Sequence, residues 1–215
     1  MVRAVIFDLD GLLLDSEPYW EEARARFAES VGCEWRHEDE LTVKGNNSQE
    51  WAQKICVRCG PAADIASIVQ GVTARMRSLY DQHLPILPGA IHTVRTVSLS
   101  HPAAIASSSP AELIEFAMRE AGILDCFAQL VSADVAGRGK PAPDVFLLAA
   151  RQLGVSPENV AVFEDSSAGI IAGKAAGMRV IAVPNRHYPP SKDALDAADI
   201  VLKSLDGFHL TMLDG

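Results

Sequence analysis

The chain has 215 residues, 48% hydrophobic and 22% charged, so one medium domain, or a domain with a smaller insert, can bury a core without a disulfide or metal staple. Its net charge of −9 and pI near 5.1, without a cluster of lysine and arginine, disfavour a nucleic-acid binder or a protein that binds an anionic membrane surface. A small anionic substrate is compatible with this charge, because its site needs only a few local cations and a metal.

The first predicted element is a strand over residues 2–7, an apolar run that ends at Asp8 and Asp10. These acids interrupt the run too early for a signal peptide, and no apolar stretch approaches the roughly 18 residues of a membrane span. We therefore expect a cytoplasmic protein.

Asp8 and Asp10 close this strand, where their side chains would face the expected ligand crevice. Two carboxylates so close repel each other unless a cation neutralises them, and oxygen ligands suit Mg²⁺. The pair also suits phosphoryl chemistry, in which one carboxylate attacks phosphorus and the other handles the proton of the leaving group. The alternative is an ordinary strand end with solvated acids.

A long gap then separates the first strand from the second, and its apolar residues recur at helical spacing. The predicted helices cover residues 17–31, 48–59 and 62–83. Asn47 and Glu50 form a start signal for the second helix. The three tryptophans of the chain all lie here: Trp20, Trp35 and Trp51. We expect at least two of them to form the small core of a helical insert.

This pattern predicts two domains. Residues 1–15 and 84–215 form the core domain, and residues 16–83 form a helical domain inserted into it. Linkers at 11–16 and 84–88 join the two, the second of them marked by prolines.

The four cysteines are Cys33, Cys56, Cys59 and Cys126. In a cytoplasmic protein we expect all four as reduced thiols. Cys56 and Cys59 have the spacing of a metal or redox pair, but no second cysteine pair or histidine pair supports such a site. We interpret them as two small packing residues of a helix.

After the insert, strands and helices alternate. The predicted strands cover residues 103–107, 128–132, 159–163, 179–183 and 199–202. The predicted helices cover about residues 89–99, 110–121, 143–153 and 166–176. The strands are apolar almost throughout, as expected of parallel strands covered on both faces. The fold class is therefore α/β, with a doubly wound parallel sheet whose ligand lies beyond the carboxyl ends of the strands.

Two polar loops follow the second and third strands. Ser107 ends the second strand and is the better candidate for a phosphate contact, whereas Ser109 is expected to cap the helix that begins near Pro110. Lys140 stands in a rigid turn between a glycine and Pro141; alone, it would be interpreted as a solvated loop lysine. A P-loop is excluded there, because Pro141 occupies the position of its serine or threonine.

Glu164 and Asp165 close the fourth strand and would complete an oxygen cage for Mg²⁺ with Asp8. Asp165 is the better direct ligand and Glu164 an alternate or indirect one. Capping of the following helix by Asp165 is the alternative interpretation.

These four elements occur in the order of the signature motifs of the haloacid dehalogenase-like superfamily, which the whole chain resembles. The resemblance implies a Rossmann-like core with a helical cap domain, and it is strongest to the subgroup of sugar-phosphate phosphatases and β-phosphoglucomutases. It implies that Asp8 is the nucleophile and a metal ligand, and that Asp10 is the general acid/base and binds metal through its backbone oxygen.

The same resemblance implies that Ser107 and Lys140 hold the phosphoryl oxygens with help from the Ser108 amide, and that Asp165 completes the metal site. An Asp at position 10 favours phosphoryl chemistry over dehalogenation. The subgroup's mutases carry a His near Trp20 and an Arg in the loop that here reads Asn46-Asn47-Ser48-Gln49.

We therefore predict a Mg²⁺-dependent phosphatase for a small phosphorylated metabolite, most consistent with a sugar phosphate, with phosphomutase as the alternative. A binding protein on an inactive scaffold would need loss of Asp8, Asp10 or Lys140, and all three are present. The residues expected to read the substrate from the cap are Lys44, Asn46, Asn47 and Gln49.

Overall fold

The computed structural model describes residues 1–60 and 64–214 and contains one six-stranded parallel sheet with helices on both faces. The strands are β1 (Ala4–Phe7), β2 (Ala103–Ser107), β3 (Gln129–Ser132), β4 (Val160–Glu164), β5 (Arg179–Ala182) and β6 (Ile200–Val201). The α-helices are α1 (Glu17–Ser30), α2 (His37–Val43), α3 (Ser48–Cys59), α4 (Ile65–Gln82), α5 (Ala90–Ser98), α6 (Ala111–Glu120), α7 (Asp144–Leu153), α8 (Ser167–Ala175) and α9 (Lys192–Ala197). The predicted α/β fold class is confirmed.

The strands are apolar on both sides because each face of the sheet carries its own core. In β1, Val5 and Phe7 belong to one hydrophobic cluster and Ala4 and Ile6 to the other. Successive side chains of a strand point to opposite faces, so helices on both faces require a continuous apolar run. Phe7 also stacks on Phe163 of β4, with ring centroids 4.8 Å apart.

The strand order β3-β2-β1-β4-β5-β6 places β1 in the middle of the sheet. The chain leaves β1 for β2 on one side and later returns to β4 on the other, so the order reverses at β1. Phe7 is in register with Ile105 of β2 and with Phe163 of β4. The residues that follow these three strands therefore meet at one edge, where open α/β sheets bind their ligands.

Four helices, α1 to α4, lie between β1 and α5 in the chain, and α1 and α3 pack against α4. Trp20, Trp35 and Trp51 are all buried, so the expectation that at least two tryptophans form a core here is confirmed. The sequence pattern did not predict α2, because this short helix is largely exposed and lacks apolar periodicity. The predicted start of the last helix at residue 62 lies outside the described residues; the described part begins at Ile65 and is capped by Asp64.

The expectation of four reduced thiols is wrong for Cys33 and Cys59, which form a disulfide with their Cα atoms 5.3 Å apart. The chain segment after α1 brings Cys33 to the C-terminal end of α3, a tertiary contact that cysteine spacing cannot reveal. Cys56 and Cys126 are free thiols. The cross-link restricts the unfolded chain and should stabilise the fold. The cysteines therefore give no support to a cytoplasmic location, which stays a prediction.

Within residues 1–60 and 64–214, no helix is both long enough and apolar enough to cross a lipid bilayer.

Candidate active site

The carboxyl edge of the sheet holds a buried ion cluster centred on Lys140. Its Nζ lies 2.5 Å from Asp8 Oδ1 and 2.6 Å from Glu164 Oε1 and also donates to the Ala106 carbonyl at 3.3 Å. All three charged side chains are at least nine-tenths buried. Lys140 reaches this position from the loop after β3, so three different strands supply the cluster.

Burial by itself raises the pKa of a carboxyl and lowers the pKa of an ammonium, because it disfavours the charged form of each. Burial raises the pKa of the Asp8 carboxyl well above its usual value, although the Lys140 ammonium pulls it down and Glu164 and Asp10 push it up. Burial also raises the pKa of Asp165, and the nearby Glu164 and Asp8 add to that rise. Burial opposes the charge of Lys140, but the carboxylates of Asp8 and Glu164 outweigh it and raise the pKa of the ammonium. The cluster therefore holds more negative charge than one lysine neutralises.

Three buried carboxylates in this cluster are close enough to share one cation. Oxygen atoms of Asp8, Glu164 and Asp165 lie within 4.8 Å of one another. One ammonium against three carboxylates formally leaves two negative charges, and an all-oxygen donor set suits a hard divalent ion. The residues present therefore fit Mg²⁺.

Asp165 and Glu164 are fixed in different ways. Asp165 accepts a 2.8 Å hydrogen bond from the Asn185 amide, which holds its carboxylate toward the cluster. The second oxygen of Glu164 accepts from the backbone amides of Asp165 and Ser166 at 2.8 and 2.9 Å. Asn185 follows β5, and the sequence interpretation missed it, although a polar residue at a strand end was the signal used for the other site residues.

Asp10 points into a separate set of hydrogen-bond donors. Oδ1 accepts from Ser16 at 2.6 Å, Trp20 at 2.8 Å and Tyr80 at 3.4 Å, and Oδ2 accepts from Ser107 at 3.1 Å and Ser109 at 2.6 Å. These donors come from the segment after β1, from α1 and α4, and from the end of β2. One carboxylate therefore joins the helical insert to the sheet.

The two serines differ from their predicted placement. Ser107 is fully buried, and its hydroxyl donates to Asp10 rather than facing the cavity. The expectation that Ser109 caps α6 is wrong, because Pro110 occupies the cap position without a side-chain hydrogen bond while the Ser109 hydroxyl donates to Asp10. The Ser108 hydroxyl donates to the Gly45 carbonyl at 3.0 Å, so this serine touches the insert.

A cavity of about 550 Å³ opens between the sheet edge and the insert. Asp8, Asp10, Lys140, Glu164 and Asp165 line it from the sheet side. The insert contributes polar and aromatic residues, among them Glu17, Trp20, Arg24, Lys44, Asn46 and Trp51. The volume suits a small metabolite.

Of the four residues predicted to read the substrate, the structure brings two to the cavity. Lys44 and Asn46 line it. Asn47 instead caps α3, accepting from the Glu50 amide, and donates to the Gly137 carbonyl at 2.9 Å. Gln49 is exposed on the first turn of α3 and is not among the residues that line the cavity. Lys44 and Asn46 are therefore the members of the predicted set that line the cavity.

A family model for haloacid dehalogenase-like hydrolases matches residues 2–177. The chain belongs to this family, which confirms both the resemblance and the expectation of a hydrolase.

Named relatives give finer comparisons. The chain is 34% identical over 186 residues to Hexitol phosphatase B of Escherichia coli strain K12, covering 85% of this chain and 84% of that protein. It is 31% identical over 179 residues to Fructose-1-phosphate phosphatase YqaB of the same strain, covering 83% and 95%.

Two solved structures share the whole fold. β-Phosphoglucomutase from Clostridium difficile is 26% identical with a TM-score of 0.86, covering 100% of this chain and 96% of that one. CbbY from Rhodobacter sphaeroides, solved with xylulose-(1,5)bisphosphate, is 26% identical with a TM-score of 0.86, covering 99% of both.

Proposed function

We propose that the chain is a Mg²⁺-dependent phosphatase that hydrolyses a small sugar phosphate through an aspartyl-phosphate on Asp8. The observation that carries this proposal is the buried Asp8 carboxylate, which borders the cavity, accepts a hydrogen bond from the Lys140 ammonium and lies within 4.8 Å of two further carboxylates. The relatives named as phosphatases of hexitols and of fructose 1-phosphate support it.

Asp8 is the nucleophile. One of its oxygens bonds to phosphorus, the bond from phosphorus to the ester oxygen breaks, and Asp10 gives that oxygen a proton. Water then attacks the phosphorus of the acyl phosphate, Asp10 takes the proton of the water, and Asp8 leaves as a free carboxylate. Lys140 offsets negative charge on the phosphoryl oxygens throughout.

Asp10 must turn from its present donors to reach the leaving group. Its carboxylate accepts hydrogen bonds from Ser16, Trp20 and Ser109, which fix its position beside the cavity. Turning it would free the Ser107 and Ser109 hydroxyls, which could then donate to phosphoryl oxygens. This accounts for a buried Ser107 that nevertheless belongs to the predicted phosphate site.

The metal site we propose consists of Asp8, Asp165 and the backbone oxygen of Asp10, with Glu164 as an alternate or indirect ligand. A bound Mg²⁺ supplies Lewis-acid neutralisation of the phosphoryl charge. The clustered carboxylate oxygens described above support this assignment.

The test of this function is phosphate release from a panel of sugar phosphates, with and without divalent metal. We expect turnover with Mg²⁺ and a loss of roughly 10³-fold or more in excess chelator, since metal stabilisation of the transferring group is worth several kcal/mol. Restoring Mg²⁺ should restore the rate. Full turnover in chelator would contradict the metal assignment, and no turnover of any ester would contradict the function.

Phosphomutase is the second candidate, because the chain shares its fold with a β-phosphoglucomutase at 26% identity. A mutase must shield the aspartyl-phosphate from water and grip the distal phosphate of the sugar, a task suited to a free guanidinium. Here Trp20 donates to Asp10 at 2.8 Å, and Ser48 is buried with its amide bonded to Asp134. Neither residue offers a cation, so water is the better acceptor.

We expect the rate of hydrolysis to exceed the rate of the phosphomutase reaction. The assay uses glucose 1-phosphate of both anomers with a catalytic amount of glucose 1,6-bisphosphate, following free phosphate and glucose 6-phosphate together. Conversion to glucose 6-phosphate much faster than phosphate release would establish the mutase instead.

A further inference from the structure

Arg24 and Lys44 line the cavity, and so does Glu17. Lys44 Nζ forms an ion pair with Glu17 Oε2 and lies 3.7 Å from Glu40 Oε1. Arg24 Nη1 pairs with the same Glu40 oxygen. Two positive and two negative side chains therefore form one network, which we call the insert charge network: Glu17, Arg24, Glu40 and Lys44.

Aromatic side chains that contact the network hold its charged groups in place. Glu40 is fully buried and accepts a 3.0 Å hydrogen bond from Trp35 Nε1. The Arg24 guanidinium lies over the Trp20 ring at 4.8 Å, and Lys44 Nζ lies 3.7 Å from the centroid of the Tyr188 ring. These contacts leave little freedom for either cation to leave its carboxylate for a ligand. In a partly buried site, such fixed pairs act at closer to full strength than surface pairs do.

Two histidines also line the cavity, and each has a carboxylate beside it. Glu21 Oε1 lies 3.4 Å from Nδ1 of His37 on α2, and Asp15 Oδ1 lies 3.0 Å from Nε2 of His187 in the loop after β5. The two positive and two negative charges of the insert charge network cancel, whereas the sheet side holds the buried Lys140 cluster on which the proposed phosphoryl chemistry rests.

We propose that the insert charge network makes the enzyme selective for sugar monophosphates over bisphosphates, with Glu17 as the selecting residue. This inference rests on the proposed phosphatase function. Among the described residues of the insert that line the cavity, a second phosphate would meet no cation without a carboxylate partner and would face the Glu17 carboxylate, whereas neutral hydroxyls can hydrogen-bond to Glu17 and Lys44. The fold alone does not exclude a bisphosphate, because CbbY was solved with one.

The experiment compares kcat/KM for matched pairs of substrates: fructose 1-phosphate with fructose 1,6-bisphosphate, and glucose 6-phosphate with glucose 1,6-bisphosphate. For the unmodified protein, we expect roughly tenfold or greater preference for the monophosphate in the pair that it hydrolyses better. A preference for the bisphosphate in both pairs would overturn the inference.

Glu17→Gln keeps the shape of the side chain and leaves Arg24 and Lys44 with Glu40 as their one shared carboxylate in the insert charge network, so one positive charge is uncompensated. We expect the ratio of bisphosphate to monophosphate kcat/KM to rise by roughly tenfold or more, as for a newly available charge-assisted contact. The matched control is Glu22→Gln, on the same helix but outside the cavity and paired with Arg26, which should leave the ratio unchanged. An active Glu17→Gln variant with an unchanged ratio would refute the selecting role.

Lys44→Met is the second variant, and it tests the selectivity inference if Glu17→Gln does not fold. It leaves the Glu17 charge unpaired, so the bisphosphate should be disfavoured further, and an unchanged or opposite ratio would contradict the inference. Hydrolysis of p-nitrophenyl phosphate distinguishes failure of the selectivity inference from failure of the proposed phosphatase function. If it is retained while the ratios do not move, only the selectivity inference fails, whereas absence of hydrolysis with every ester means that the proposed function fails.

Discussion

Asp8→Asn should abolish phosphate release, lowering kcat by roughly 10⁴-fold or more, while the chain keeps its fold. The amide cannot form the acyl phosphate, and the neighbouring Glu164 carboxylate is held by Lys140 and by backbone amides. The amide oxygen can still accept the hydrogen bond that Lys140 donates to Asp8. The measurement is phosphate release under saturating Mg²⁺, with circular dichroism to establish folding.

The matched control is Asp196→Asn, an exposed aspartate of α9 that pairs with Lys192, which should leave the rate unchanged. Acid quench followed by peptide mass spectrometry should find a phosphoryl group on Asp8 of the unmodified protein during turnover and none on the variant. A near-native rate for Asp8→Asn, or a phosphoryl group on another residue, would remove Asp8 from the nucleophile role.

Lys140→Met should lower kcat/KM by roughly 10³-fold and destabilise the metal-free protein by about 3–5 kcal/mol, because it leaves buried carboxylates without their ammonium. The side chain is 3% exposed, so the pair is far more desolvated than a surface ion pair. Burial already raises the pKa of Asp8, and loss of the lysine raises it further. The folded variant then binds a proton more readily than the unfolded chain, so its stability deficit should shrink as the pH falls.

Urea denaturation in chelator measures the stability, and phosphate release measures the rate. Lys174→Met is the matched control, since Lys174 pairs with Asp199 at 2.7 Å but is 35% exposed. Exposed pairs contribute about 0–1 kcal/mol, so this variant should be nearly native. Equal losses of stability and of rate in the two variants would contradict the proposed role of Lys140 in the buried cluster.

The sequence by itself was sufficient to predict the sheet and to place the proposed site residues at one edge of it. Long apolar runs predicted parallel strands, because both faces of such a sheet are buried. Polar residues directly after those runs predicted the site, since parallel strands present their carboxyl ends at one edge. Asp8 and Glu164 follow this rule, and Lys140 in the loop after β3 lies between them.

The helical insert was predictable only in part. Helices α1, α3 and the described part of α4 carry apolar periodicity, whereas α2 does not, because it is mostly exposed. The start signal of α3 was predicted correctly from Asn47 and Glu50, and the same Asn47 side chain also donates to the Gly137 carbonyl.

The tertiary structure decided which side chains meet across the chain. Tyr80 reaches Asp10 over 70 residues and Ser109 over 99, and Cys33 reaches Cys59 over 26. Neither periodicity nor motif spacing encodes such pairs, because they depend on how the insert packs against the sheet edge. The same holds for the insert charge network: the sequence shows charged residues on α1 and α2, and only packing decides that their charges cancel at the wall of the cavity.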